Sequence, residues 1–342
     1  MKTIAALWLS LMLVLSVGCS SSDHSWVEDE VTFTADGLTL HGTYRHQKDQ
    51  PAGPAALLIS ESGNTDRNGD NAVVGPVGNM RQLAEYLSGH GVASLRYDKV
   101  GTGKTGLGPY ADRKGDVGSA VYTKGAKAAV RFLADQPGTD KARISTYAIG
   151  EGTTHAMALA TDTDPGAPKI HSLALLQPLA GRYLDLITSK VLADNAIQLK
   201  QGSKTQQEAD GVLAAWKAAV DEVRTKGTVP PGQLPDGLSA VLNPNNVKAV
   251  AEQDAIDPVA EAQRIAAGTP VLLTCANSDG QAECANIKPL ADALAHTDLT
   301  QVDLDGINHV LRDDPTDNAA NYSKQDPLSP KLIAALDKFV SK

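Results

Sequence analysis

The stretch RISTYAIGEGTTHAMALA (143–160) reads as a strand that passes through a tight turn into a helix. A turn of this kind holds the residue at its tip exposed, where a nucleophilic hydroxyl could meet a base. Small residues flank the tip, Ala148 and Gly152, as the G-x-S-x-G spacing of such an elbow demands. The tip itself is Gly150, which has no side chain. Glycine takes positive φ without penalty, so the turn is relieved of strain and the hydroxyl is lost with it. A serine put back at 150 is expected to restore the nucleophile. Thr153 and Thr154 in the helix's first turn, and Ser62 in an earlier loop, are the nearest replacements in sequence terms. Each would approach a base from a displaced position, and misplacement by about 1 Å costs on the order of a hundredfold in rate. His155 reads as a helix-surface residue, and Glu151 as a charge matched to the helix N-terminus.

Two other motifs fail on their spacing. DKVGTGKTG evokes the phosphate-binding loop G-x-x-x-x-G-K-S/T, but its first glycine would fall on Asp98 and no helix starts at Lys104. DRNGDN (66–71) evokes a calcium loop, but its sixth position is Asn71 and its twelfth Val77. Both read as polar turns. Cys275 and Cys284, nine apart in one segment, read as a local disulfide if the chain folds in an oxidising compartment. Neither has a second Cys or His at zinc-like spacing, so no metal is expected, and nothing implies a cofactor.

The chain start bears on that compartment. Met1-Lys2-Thr3 precedes the apolar run IAALWLSLMLVLSVG, which has the length of a signal-peptide core and is too short for a membrane-spanning helix. The run ends at Gly18-Cys19-Ser20, similar to a bacterial lipoprotein signal in which Cys19 becomes the lipidated first residue, although Ser16 stands where that signal usually has Leu. Export to the cell envelope and anchoring through lipid are therefore expected. About 320 residues remain, enough for one large α/β domain or two ordinary ones. A formal net charge of −9 without a basic run argues against a nucleic-acid partner.

Stepping along the chain, the period of the apolar residues alternates. VTFTADG and LTLHGTYRH (from Val31 and Leu38) form a hairpin pattern about Asp36-Gly37. AALLIS (55–60), VASLRYD (92–98), RISTYAI (143–149), HSLALLQP (171–178), TPVLLTC (269–275) and LTQVDLDG (299–306) read as strands, most of them buried. Helical spacing runs through 80–91, 121–136, from about 152, and through the last residues. Such alternation predicts an α/β fold with a mostly parallel sheet covered on both faces. The segment 182–266 breaks the rhythm with an amphipathic helix at 206–227 and a proline-rich loop, and reads as a helical cap over the strands' carboxyl ends, the edge where ligands bind. The expected organisation is a signal peptide (1–18), a lipobox and linker (19–30), a core in two parts (31–181 and 267–342) and the cap between them.

This order of elements resembles the α/β-hydrolase fold, and in particular the bacterial serine esterase and aminopeptidase-like branch. The similarity is carried by LLISESGNTDRNGDN (57–71), GVASLRYDKVGTGKTG (91–106), the run DPVAEAQRIAAGTPVLLTCANSDGQ (257–281) and DGINHVLRD (305–313). The resemblance implies Asp279 as the acid of a triad and His309 as its base, with Gly150 at the nucleophile position. It also implies an oxyanion site from Ser62 and Gly63 in the loop after the third strand and from the Glu151 N–H. Two functions follow. The first is a lipoprotein pseudo-hydrolase that binds an acyl or peptide-like ligand or an envelope protein. The second is an active esterase or acyl hydrolase with an unorthodox nucleophile or an activated water.

Overall fold

The computed structural model describes residues 25–49, 51–61 and 63–342, so Cys19 and Ser62 lie outside the described residues. The chain opens with a hairpin, β1 (Trp26–Ala35) and β2 (Leu38–Gln47), turning at Asp36-Gly37, and β1 starts earlier than Val31. There follow β3 (Gly53–Ile59), α1 (Asn79–Gly89), β4 (Ala93–Tyr97), α2 (Ser119–Ala134), β5 (Thr139–Gly150), α3 (Gly152–Ala160) and β6 (Ile170–Pro178). Four helices come next: α4 (Tyr183–Lys200), α5 (Gln206–Lys226), α6 (Val247–Ala255) and α7 (Pro258–Gln263). The chain ends with β7 (Pro270–Cys275), α8 (Cys284–Ala293), β8 (Asp298–Asp303) and α9 (Pro330–Phe339).

The strands form one sheet in the order β1-β2-β4-β3-β5-β6-β7-β8, antiparallel from β1 to β4 and parallel from there to β8. β3 and β6 are apolar along most of their length, and β5 is buried over its carboxyl-terminal half, because helices cover both faces there. One face packs Leu57, Leu95, Leu173 and Leu273 against α2, α3 and α8; the other packs Leu58, Tyr147, Leu176 and Leu272 against α1 and α9. Within the insert, α4 and α5 close over a separate cluster around the fully buried Trp216. α5 begins at a capping box, in which Thr205 and Glu208 bond each other's backbone N–H, and ends at Gly227 with φ +69. Among the described residues, no helix is long and apolar enough to cross a membrane.

The two polar motifs are turn chemistry. The buried Asp98 carboxylate accepts from the Arg67 N–H (3.0 Å), from Arg67 Nη2 (3.0 Å) and from the Lys104 N–H (2.8 Å), tying the loops after β3 and β4 together. Asp66 accepts from the N–H groups of Asn68 and Asp70.

Candidate active site

The loops at the carboxyl ends of β3, β5, β7 and β8 meet in one place, and the centre of that place is the turn after β5. Gly150 has φ +52, a conformation that L side chains adopt only under strain. Gly152 follows because α3 begins against β3: a Cβ there would lie 2.6 Å from the Ile59 carbonyl oxygen and 2.9 Å from that of Ser60. The turn is thus a tight strand-to-helix turn with a positive-φ residue at its tip and no room for a side chain at 152. The Thr153 hydroxyl is committed to the Gly150 carbonyl (2.6 Å), and Thr154 is buried in the same turn.

Asp279 and His309 come together as expected. Asp279 lies in the loop after β7, which the Cys275–Cys284 disulfide closes. One carboxylate oxygen accepts from the N–H groups of Gln281 (2.7 Å) and Ala282 (3.2 Å), and the other lies 2.8 Å from His309 Nδ1. The Ser278 hydroxyl bonds the Ile307 carbonyl (2.7 Å), and the Asp317 carboxylate accepts the His309 N–H (2.9 Å). The loops that carry Asp279 and His309 are thus one unit, and both side chains are buried: Asp279 is 0 % and His309 4 % exposed.

The partner of His309 Nε2 is a residue that the sequence did not single out. Glu61, two residues beyond β3, places Oε2 at 2.8 Å from Nε2, and its Oε1 accepts the Glu151 N–H at 3.2 Å. A Cβ built on Gly150 would fall 1.5 Å from Glu61 Oε2. That is a bonded separation, the distance at which a serine carries its own hydroxyl oxygen. A carboxylate oxygen from another loop therefore lies where a side chain at 150 would begin, hydrogen-bonded to His309 Nε2. The second oxygen takes the Glu151 N–H, the donor expected from the resemblance to serve an oxyanion. The backbone beneath Glu61 is fixed by Lys99, a buried side chain whose Nζ donates to the carbonyls of Ser60 (3.3 Å) and Glu61.

The charges follow from this geometry. Burial works against a charged His309, but the Asp279 and Glu61 carboxylates outweigh it and raise its pKa well above the ordinary range. Glu151 stands at the N-cap of α3, as expected, and is buried there. Burial pushes its carboxyl up to about 7; nearby Lys99 opposes the rise and Glu61 adds to it. His155, expected on the helix surface, is also buried, because α3 is covered by α2: its Nδ1 meets the Thr123 hydroxyl at 2.9 Å. Burial lowers its pKa to about 3, so it is a neutral core histidine.

A cavity of about 200 Å³ opens onto Glu61 and His309, walled by Asn71, Val77, Gln281 and Val310 among others. Its walls come from the loops around β3, β5, β7 and β8 and include no residue of the insert 182–266. Of the expected oxyanion donors, the Glu151 N–H is in place but occupied. Gly63 follows Glu61 in the same loop, with φ +63.

No family model matches the chain, and no curated protein matches it. Solved structures do. The esterase Pf2001 of Pyrococcus furiosus superposes over 99% of this chain and 95% of its own, with TM-score 0.57 and 16% identity. Est1E of Butyrivibrio proteoclasticus, solved with ferulic acid, gives TM-score 0.55 and 14% identity over 91% of this chain and 100% of its own. Acetyl xylan esterase 1 of a Thermoanaerobacterium species gives 0.52 and 13% over 94% and 89%. The chain has the α/β-hydrolase fold that these esterases share.

Proposed function

We propose that the protein is a cell-envelope lipoprotein that keeps the α/β-hydrolase frame without its serine chemistry, and that its pocket takes a small acyl or peptide-like ligand. The reading is carried by one observation: Glu61 Oε2 stands where the hydroxyl oxygen of a serine at 150 would stand. Serine-type acyl transfer needs a hydroxyl, a neutral imidazole to take its proton and a free N–H for the oxyanion. Here position 150 offers no hydroxyl, the Asp279 and Glu61 carboxylates favour the charged form of His309, and the Glu151 N–H is bonded to Glu61. The anchor is Cys19, lipidated after export; stable attachment takes more than one acyl chain. An envelope protein is the other occupant this face would suit.

The test is turnover of short-chain aryl esters and labelling by a fluorophosphonate. The expected result is no labelling and a background rate equal to that of His309→Ala. Labelling of the natural protein would show that another residue is a serine-type nucleophile and would end this reading. The chain of contacts Asp279–His309–Glu61 favours a second reading, in which a carboxylate takes over as nucleophile.

A further inference from the structure

The place where the lipid tether joins the sheet orients the molecule. We propose that the end of the sheet where β3, β4, β5 and β6 begin rests on the anionic lipid surface that holds the anchor, and that the cavity beside Glu61 faces away from it into water. This orientation rests on the reading that Cys19 is lipidated. It narrows the ligand to one that reaches the cavity through water rather than out of the bilayer.

Cys19 stands seven residues before Trp26, the first residue of β1, so the tether spans at most ~25 Å when fully drawn out. The strand register says which end of the sheet it holds. Trp26 pairs with Gln47, and continuing the pairing of Arg45 with Ser94 sets Gln47 level with Val92, just before β4 begins. On the other side of β4, Leu58 pairs with Arg96, which sets Glu61 level with Lys99. From the level of residue 92 to that of residue 99 is seven residues of strand rise, roughly 23 Å. The tether therefore leaves from the end opposite the cavity.

The surface around Trp26 suits a headgroup layer, and the flank of the sheet does not. Trp26 is half-buried, with the Arg45 guanidinium 5.9 Å from its ring centre, and tryptophan rings favour the level of lipid headgroups. Lys48 after β2, Lys141 and Arg143 near the start of β5, Lys169 before β6 and Lys342 at the chain end bring further cations to this end. Asp135, Asp140 and Asp298 pair with Lys141, Arg143 and Lys342. Lys48 and Lys169 are exposed and have no ion-pair partner among the described residues. Such cations add to an acyl anchor on an anionic bilayer. The flanking strand β1 instead presents the exposed Glu28, Asp29 and Glu30, and the arginines and the lysine beside them are already paired with Glu28 and Glu30. At the far end, the exposed Val73 stands between Asn71 and Val74, which wall the cavity.

The test uses the purified acylated protein in vesicles of phosphatidylcholine and phosphatidylglycerol with brominated acyl chains, which quench only fluorophores close to the bilayer. Trp26 is read as the difference between the natural protein and Trp26→Phe, which keeps the fully buried Trp216 as background. A dye is attached to Lys48→Cys and, in a second variant, to Val73→Cys, both at exposed positions where a label disturbs no core packing. The expected result is loss of emission from Trp26 and from the dye at 48, with the dye at 73 unchanged. Quenching at 73 as strong as at 48 would overturn the orientation and leave the anchor standing. Unquenched Trp26 and dye at 48, in protein that floats with the vesicles, would overturn the membrane contact. Protein that does not float would refute the lipidation of Cys19 and the orientation with it, so the two failures are told apart.

Discussion

Gly150→Ser should fail to restore an esterase, against the simplest expectation from the elbow alone. The new Cβ would lie 1.5 Å from Glu61 Oε2 and 2.3 Å from its Cδ, so the carboxylate must be displaced before a serine fits. The φ of +52 at this position adds strain of roughly 1–3 kcal/mol for a non-glycine residue. Displacement alone also leaves the carboxylate free to return to the Glu151 N–H. Glu61→Ala combined with Gly150→Ser clears the space, frees that donor and leaves His309 with Asp279 as its single carboxylate partner. One oxyanion donor is worth about 10²–10³ in rate, which sets the expected gap between the double and the single variant. Fluorophosphonate labelling and aryl-ester turnover, measured on both variants beside the natural protein, decide it. Equal labelling of the single and double variants would refute the claim that Glu61 holds the serine's place.

The pH dependence of stability has a definite sign. The folded pKa of His309 lies above its unfolded value of about 6.5, so its contribution is complete below that pH and is lost as pH rises through the folded value. Thermal melts should therefore weaken on the alkaline side, and His309→Gln should remove that part of the slope; an unchanged slope would contradict it. Reducing Cys275–Cys284 should lower stability by less than the ~3 kcal/mol estimated for a 15-residue loop and loosen Asp279, both readable by melting and by the His309 titration. Cys19→Ala should release the protein from the membrane fraction, and unaltered partition would remove the lipid anchor from the account.

The strands, the tight turn after β5 and the disulfide were legible because each is written in a local pattern or a short spacing, whereas Asp279 and His309, 30 residues apart, were paired only through the resemblance to a known fold. The apolar runs of β5 and β6 require burial on both faces, and Ala148 and Gly152 announce a tight turn whatever stands at 150. Glu61 was not legible. It is one acidic residue in a polar loop, 90 residues from Glu151 and 248 from His309, and nothing local marks it as their partner. The one available signal was the joint occurrence of a missing hydroxyl at 150 and a carboxylate just beyond β3. His155 misled for the opposite reason: a histidine in a helix's first turn looks exposed until the helix packed over it, α2, is seen.

The central claim is that a Glu61 carboxylate oxygen is bonded to His309 Nε2 in the serine's place, and NMR titration of the His309 ring nitrogens tests it most directly. Both nitrogens should be protonated at neutral pH with a midpoint well above 6.5 in the natural protein, falling back toward 6.5 in Glu61→Gln while the Asp279 contact persists. A His309 that is neutral at pH 7, or a midpoint that Glu61→Gln leaves unmoved, would contradict it.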